Sequence, residues 1–155
     1  MSRLSLLAAL LTGCASGPLS GTWLYSNSEL RDDSCGIFDE GVVLDGDFYI
    51  YNEGKGSMVI DPNDDSEIFS CTYDKSSFSC PERLQQEEIV QGSTLTGTAE
   101  VVGTLDKRES ASGSQLLSID CDGPTCEAFE AAAGQTFPCT AEVVFSATWT
   151  SPTLP

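Results

Sequence analysis

The chain contains no histidine and few basic residues. Among its 155 residues, 7 are Lys or Arg and 24 are Asp or Glu, which gives a formal net charge of −17. Without histidine, the commonest general base and the commonest metal ligand are both missing. The acidic charge is spread along the chain, so nucleic-acid phosphates and anionic lipid head groups would both be repelled. We therefore expect no nucleic-acid partner, and we expect any membrane attachment to depend on a lipid.

Recognisable catalytic motifs are also missing. The sequence has no G-x-S-x-G elbow, no S-x-x-K pair and no glycine-rich phosphate loop. Carboxylates are plentiful, so a carboxylate-dependent hydrolase stays open as an alternative. Such an enzyme needs a cleft that holds two close carboxylates, one of them with a raised pKa. We predict a non-enzymatic protein without a cofactor.

Two segments resemble metal-binding patterns only in part. The later cysteines are spaced unlike a zinc knuckle, and no histidine accompanies them. Residues 61–67 begin like a calcium loop, with oxygen-bearing side chains at alternate positions. Ser66 stands where that loop needs glycine, and Thr72 stands where it needs a bidentate glutamate. We predict a solvated hairpin turn at residues 61–67 and no metal site.

The N-terminus carries a short apolar run. Residues 4–11 are mainly apolar and follow a single basic residue, Arg3. A membrane-spanning helix needs about 20 apolar residues, so this run has the size of a signal-peptide hydrophobic region instead. It ends in Leu11-Thr12-Gly13-Cys14. This ending resembles the lipobox of bacterial lipoproteins, in which an apolar residue and two small residues precede a cysteine.

The lipobox resemblance implies where the protein is held. It implies that residues 1–13 are a cleaved signal peptide, and that Cys14 is the lipid attachment site, with acyl chains on its sulfur and its amino group. Residues 14–20 would then be a flexible tether before a single domain at residues 21–151. Ala15 after the cysteine implies the outer membrane of a Gram-negative cell envelope. The alternatives are an ordinary signal peptide with a chance cysteine, and a cytosolic protein with an apolar N-terminus.

Short alternating segments favour β structure throughout the domain. Inward residues alternate with outward ones most clearly along residues 93–106 and 139–150. Glycines at inward positions 97 and 103 would let the first of these strands bend, as a closing barrel requires. The other predicted strands are 21–25, 42–44, 48–51, 57–60, 68–73, 78–80 and one that includes 117–121. Residues 81–90 fit neither a helical nor a strand period well.

The fold class follows from this order of segments. Residues 126–133 are typical of a two-turn helix, with Thr125 as N-cap and Gly134 after its end. We predict an all-β antiparallel barrel or sandwich of about eight strands, with this one short helix before the last strand.

The first strand carries a family resemblance. Gly21-Thr22-Trp23 resembles the G-x-W strand that opens lipocalins. The resemblance implies a lipocalin-like barrel. Alternatively, Trp23 and Trp149 are large core residues of the first and last strands. Both interpretations predict that these two tryptophans lie next to each other.

Two hairpins are indicated by their turns. Asp45-Gly46 favours a type I′ turn between residues 42–44 and 48–51. Farther along, a turn at residues 74–77 would place Tyr73 opposite Phe78. That register brings Cys71 opposite Cys80, at a separation that suits a disulfide. We therefore predict a Cys71–Cys80 bridge.

Six cysteines follow Cys14, which predicts three disulfides in an exported chain. Once Cys71 and Cys80 are paired, Cys35, Cys121, Cys126 and Cys139 allow three connectivities. Geometry favours a bridge from the segment that holds Cys121 and Cys126 to Cys139 at the start of the next strand. The choice among the connectivities stays open.

Three functional hypotheses follow. The first is a lipid-anchored barrel that binds a small apolar ligand, because inward alanines and glycines leave room inside. The second is a structural or protein-interaction module with a solid core, working through an outer surface that includes Tyr49 and Tyr51. The third is the carboxylate-dependent hydrolase. An internal cavity favours the first hypothesis, and a filled core favours the second.

Overall fold

Eight antiparallel strands close on themselves to form a barrel. The computed structural model describes residues 17–38, 44–64 and 66–155. The strands are β1 (Gly21–Asp33), β2 (Asp47–Gly54), β3 (Ser57–Asp61), β4 (Phe69–Asp74), β5 (Ser77–Val90), β6 (Ser93–Lys107), β7 (Ser110–Asp122) and β8 (Cys139–Ser151), and α1 (Cys126–Ala133) lies between β7 and β8. Each strand pairs with its sequence neighbours, and β1 pairs with β8. The all-β prediction is confirmed, with a barrel rather than a sandwich and with its short helix before the last strand.

The predicted alternation decides which side chains enter the barrel. On β8 the residues at every second position from Cys139 to Ala147 are buried. On β4 the buried positions are Phe69, Cys71 and Tyr73. Because successive side chains on a strand point to opposite faces, these patterns define one continuous inner surface.

The hairpin between β4 and β5 has the predicted register. Tyr73 pairs with Phe78 and Thr72 pairs with Ser79. Cys71 and Cys80 form a disulfide, and both are buried. This bridge therefore joins neighbouring strands from inside the barrel.

The other two disulfides differ from the preferred connectivity, because they pair Cys121 with Cys126 and Cys35 with Cys139. The chain turns back before α1, so the Cα atoms of Cys121 and Cys126 lie 5.8 Å apart. Cys139 lies beside the end of β1, where the Ser34 amide donates a hydrogen bond to the Thr140 carbonyl at 2.8 Å. The prediction that Cys139 bonds to the Cys121–Cys126 segment was wrong because closure of the barrel brings Cys35 to Cys139.

Residues 81–90, which fitted no period, continue strand β5 without a helix. The pairing of β5 with β6 shifts register between Cys80 and Arg83, and again between Leu84 and Gln86. Each shift changes the face to which the following side chains point. The irregular hydrophobic pattern of this segment is therefore the signature of two bulges.

The hairpin predicted around Asp45-Gly46 is not formed as expected. Leu44 lies in a bend, and Val42 and Val43 lie outside the described residues. Residues 48–50 pair with β1 and β3 instead, with Phe48 opposite Trp23. Strand β2 therefore takes its partners from the barrel, and Asp45-Gly46 belongs to the loop that enters it.

The strands differ in length, and this gives the barrel two unlike ends. Strands β2, β3 and β4 have 8, 5 and 6 residues, whereas the other five have 13 to 15. The loops that follow β1 and β3 lie at the end where the short strands stop, and we call this the open end. The turns β2–β3, β4–β5 and β6–β7 lie at the closed end.

Residues 17–20 cross the closed end and form what we call the N-terminal plug. Gly17 and Pro18 are buried, the latter fully. The Leu19 amide donates to the Arg108 carbonyl at 2.9 Å, and the Asn52 side-chain amide donates to the Pro18 carbonyl at 2.7 Å. Residues 17–20 were predicted to belong to a flexible tether. In the structure, the backbone of these residues is bonded to strands and turns of the barrel.

The two tryptophans hold the plug from the other side. Trp23 and Trp149 are paired in register on β1 and β8, as both interpretations of these residues predicted. The Trp23 indole N–H donates to the Leu19 carbonyl at 3.0 Å, and the Trp149 indole N–H donates to the Ser20 carbonyl at 3.1 Å. Their position therefore combines apolar burial with recognition of the plug backbone.

Gly17 gives a direct test of plug packing. Its φ is +112°, and a Cβ at this position would lie 2.5 Å from the Tyr73 ring. We expect Gly17→Ala to lower the free energy of unfolding by about 2 kcal/mol or more, through backbone strain and overpacking. The measurement is denaturant unfolding.

Gly92→Ala is the matched control. Gly92 also has a positive φ, +85°, but nothing lies within 4 Å of its Cβ position. It should cost only the backbone term, about 1 kcal/mol. Equal losses in the two variants would contradict the packing of the plug against Tyr73.

Candidate functional site

A cavity of about 360 Å³ lies inside the barrel and reaches the open end. Its mouth is formed by residues 44–47, which enter β2, and by residues 62–64, which follow β3. The cavity opens here because β2, β3 and β4 are shorter than the other strands, so the barrel wall ends sooner on this side. The N-terminal plug lies at the opposite end, so entry from the open end is the route that the described residues leave.

Most of the cavity wall is apolar. The apolar lining residues are Tyr25, Leu44, Phe48, Ile50, Met58, Ile60, Pro62, Phe69, Phe78, Val101, Leu105, Ala111 and Phe145. The majority are inward positions of the strands, and they include Val101 and Leu105 of β6 and Phe145 of β8. The deep part of the cavity would remove the apolar part of a ligand from water, whereas the mouth is lined by polar residues.

The small residues Gly103 and Gly113 do not themselves leave empty space in the cavity. A Cβ on Gly103 would lie 2.6 Å from Cζ of Phe78, and a Cβ on Gly113 would lie 3.1 Å from Cζ of Phe145. The rings of Phe78 and Phe145 therefore occupy the space over the two glycines. Because the rings use the space over the glycines, the centre of the barrel is left unfilled.

Tyr25 joins the aromatic side of the cavity. Its ring centroid lies 4.6 Å from that of Phe48 and 5.6 Å from that of Phe145, the latter edge-on. Burial raises the pKa of Tyr25 to about 12, and the negative charge of Asp64 acts in the same direction. The phenol therefore stays protonated, and keeps its hydrogen-bond donor, throughout the physiological range.

Arg83 brings a positive charge to the cavity wall. Its guanidinium carbon lies 3.8 Å from the centroid of the Phe69 ring, a cation–π contact. Nη2 donates to the Ser66 hydroxyl at 3.1 Å. Burial lowers the pKa of Arg83, whereas the charges of Asp64 and Glu67 oppose that shift. The group remains a cation at neutral pH because its ordinary pKa is far above 7.

Three polar atoms beside the cavity are buried without partners. Nε and Nη1 of Arg83 and Oε1 of Gln85 have no hydrogen bond in the part of the chain that the structure describes. Both residues line the cavity, as does Gln115. Leaving a buried polar group unpaired costs about 1–3 kcal/mol. Polar groups that are costly to bury and lie on an apolar cavity are typical of a ligand site.

The acidic residues at the mouth are used in local turns. The Asp61 carboxylate accepts a hydrogen bond from the Asn63 amide, and the Asp64 carboxylate accepts one from the Ser66 amide, both at 3.0 Å. Asp45 accepts one from the Gly46 amide at 2.7 Å. Within residues 17–38, 44–64 and 66–155, no group of three or more Cys, Asp or Glu side chains is arranged to hold a metal ion.

The predicted site residues fall into separate places. Cys14 lies outside the described residues, and the six other cysteines form the three disulfides. Tyr49 and Tyr51 alternate with buried Phe48 and Ile50 and so lie on the outer face of β2. None of these residues lines the cavity.

The polar residues of the cavity were not predicted from the sequence. Arg83 and Gln85 lie in the bulged segment, where no period showed which side chains point inward. Gln115 did leave a signal, since it lies two residues before Leu117 on the same face of β7. A polar residue at an inward position of an otherwise apolar face indicates a site of this kind.

Comparison of the chain with protein-family models, with curated proteins and with solved structures finds no match. Among the described residues, no helix has the length and apolar character needed to cross a membrane.

The raised pKa of Tyr25 predicts a pH effect on stability. A phenol that ionises near pH 10 in the unfolded chain and near 12 in the barrel stabilises the fold below about pH 10, and this contribution is lost as the pH rises through 12. We expect a loss of about 2–3 kcal/mol over that interval. Denaturant unfolding at several alkaline pH values measures it.

Tyr25→Phe should remove this part of the pH dependence, because the ring remains and the ionising group does not. Tyr49→Phe is the control, since it removes a phenol from the outer face. If Tyr25→Phe and the parent protein lose stability equally as the pH rises, the cavity environment of Tyr25 is not as described.

Proposed function

We propose that this protein is a non-enzymatic, lipid-anchored binding protein that holds a small, mainly apolar ligand inside its barrel. The observation that carries the proposal is the cavity of about 360 Å³. Pockets for small ligands have volumes of about 300–1,000 Å³ and present a few polar groups in an apolar wall. The barrel cavity has this size and this distribution of polar groups.

The wall of the cavity also supports binding over a purely structural role. A cavity of this size weakens a barrel, because lining residues lose packing contacts that a filled core would provide. Three disulfides compensate for lost stability, and none of their cysteines lines the cavity. This combination suits a protein whose interior is used.

Cavity filling tests the proposal. Gln115 lines the cavity, and we expect Gln115→Phe to occupy part of its volume. Native mass spectrometry of the protein extracted from its own membrane should show a retained small molecule, and the variant should retain at least about tenfold less of it.

Ser114→Phe is the matched control, because Ser114 is the preceding residue and lies on the outer face beside Val102 and Val144. It should leave the retained molecule unchanged. A parent protein that carries no small molecule and binds none of the amphiphiles tested below would contradict the proposal, and would favour a protein-interaction module that uses Tyr49 and Tyr51.

The proposed lipid anchor is supported by Leu11-Thr12-Gly13-Cys14 and by the N-terminal plug. Cys14 is three residues before Gly17, and three extended residues span at most about 11 Å. Acyl chains on Cys14 would therefore hold the closed end of the barrel close to the bilayer. The open end would face away from it, so the ligand would enter from the aqueous side. We propose the outer membrane of a Gram-negative bacterium as this location.

Substitution of the cysteine tests the anchor. We expect the parent protein to fractionate with membranes and to carry the added mass of its acyl chains, and Cys14→Ala to lose both. Two or more acyl chains give lasting attachment, at about 0.8 kcal/mol for each buried methylene.

Ala15→Ser is the control, because it changes the neighbouring residue and keeps the attachment sulfur. It should remain in the membrane fraction. A membrane-bound Cys14→Ala variant would contradict attachment through this residue.

A further inference from the structure

We infer that the ligand is an amphiphile whose head group is a carboxylate, bound by Arg83 near the open end of the barrel. This inference rests on the proposed function, because it assigns a chemical class to the ligand of the same cavity. The juxtaposition that carries it is a half-buried guanidinium with two unpaired donors on the wall of an apolar cavity.

The first step concerns the hydrogen-bond donors of Arg83. Nε and Nη1 are buried and have no acceptor among the described residues. Nη2 is held by the Ser66 hydroxyl, and because Nε and Nη1 are buried, binding includes a rotation of the side chain that presents them to the ligand. A carboxylate oxygen would satisfy them with charge-assisted hydrogen bonds, which are about twice as strong as neutral ones.

The second step concerns Gln85, whose Oε1 is also buried and unpaired in the described part of the chain. A half-turn of its side-chain amide replaces this acceptor with the NH2 donor. Gln85 and Arg83 lie two residues apart on β5, and both line the cavity. The polar part of the wall can therefore supply a charged and a neutral donor to one head group.

The polar part and the apolar part of the cavity lie at different positions along the barrel axis. Arg83 pairs with Ala99 on β6, whereas Phe78 pairs with Gly103, farther toward the closed end. Phe78, Leu105, Ala111 and Phe145 surround the space on that side. A head group at Arg83 would therefore place an apolar tail among these side chains.

The acidic residues at the mouth would favour a different ligand, one with a cationic head group. The carboxylates of Asp45, Asp47 and Asp64 are exposed to water, and those of Asp45 and Asp64 already accept backbone hydrogen bonds. Nε and Nη1 of Arg83 are desolvated and have no acceptor among the described residues, so a ligand relieves a cost there that it does not relieve at the mouth. Arg83 is also the only basic residue among those that line the cavity. A carboxylate is thus the better match.

Three probes with one alkyl chain test the inference: decanoate, decanol and decylamine. Binding is measured by isothermal titration calorimetry on the full chain carrying Cys14→Ala, which lacks acyl chains and keeps every described residue. We expect decanoate to bind about 10- to 100-fold more tightly than decanol, since one to two charge-assisted hydrogen bonds are gained. Decylamine should bind no more tightly than decanol.

Variants locate the head group. Arg83→Gln should remove the preference for decanoate and leave decanol binding within about threefold. Arg83→Lys keeps the charge and should retain part of the preference. Arg31→Gln is the control, because Arg31 pairs with Glu142 outside the cavity and its loss changes the net charge equally. Thermal unfolding by circular dichroism confirms that each variant is folded.

The outcomes separate the two levels of the proposal. Equal binding of decanoate and decanol, or tighter binding of decylamine, overturns the carboxylate assignment and leaves an apolar ligand in place. A preference for decanoate that persists in folded Arg83→Gln overturns the role of Arg83. Absence of binding by all three probes overturns this inference, and if the parent protein also retains no small molecule it overturns the proposed function as well.

Discussion

Pairing of the first strand with the last is the constraint on which the remaining structure depends. An open eight-stranded sheet would leave β1 and β8 as free edges and would expose the residues that now form the interior. The register runs almost the whole length of both strands, and the Cys35–Cys139 bridge joins them near the open end. That bridge closes 104 residues of chain, so in the chain-entropy account it restricts the unfolded state far more than a short-range bridge does.

Closure also explains the plug and the cavity. Trp23 and Trp149 become neighbours only when β1 meets β8, and together they bond the backbone of residues 19 and 20. With one end occupied in this way, the interior is reached from the other. At that end the wall is shortened because β2, β3 and β4 are short. Arg83 and Gln85 line the cavity there, beside its apolar residues. The site is thus a product of strand lengths as much as of side chains.

Much of the fold could be predicted from the sequence because the alternation of apolar and polar residues along a regular strand identifies its inward face. The last strand, with buried residues at alternate positions from Cys139 to Ala147, is an example, and the Tyr73–Phe78 register led directly to the Cys71–Cys80 bridge. The Cys35–Cys139 bridge could not be predicted in this way. It depends on contact between two strand ends that are distant in sequence and have no hairpin to relate them.

The residues of the candidate site were harder to predict from the sequence, for a related reason. Two bulges in β5 interrupt the alternation that would have marked Arg83 as an inward residue. The order of residues 17–20 was equally hard to predict, since they have the composition of a flexible segment. They are held by five residues from different parts of the barrel: Trp23, Asn52, Tyr73, Arg108 and Trp149. Local composition carries no information about such long-range partners.

The unequal strand lengths have one more consequence, for self-association. Beyond Leu24, β1 is paired in register only with β8, and beyond Ser79, β5 is paired only with β6, as far as the described residues show. Each strand therefore presents a stretch of sheet edge near the mouth, where another chain could add a strand. These stretches carry Glu29, Asp32 and Asp33 on β1 and Glu82, Glu87 and Glu88 on β5. Like charges on both edges repel a second copy, so the acidity of the chain disfavours edge-to-edge joining of two barrels.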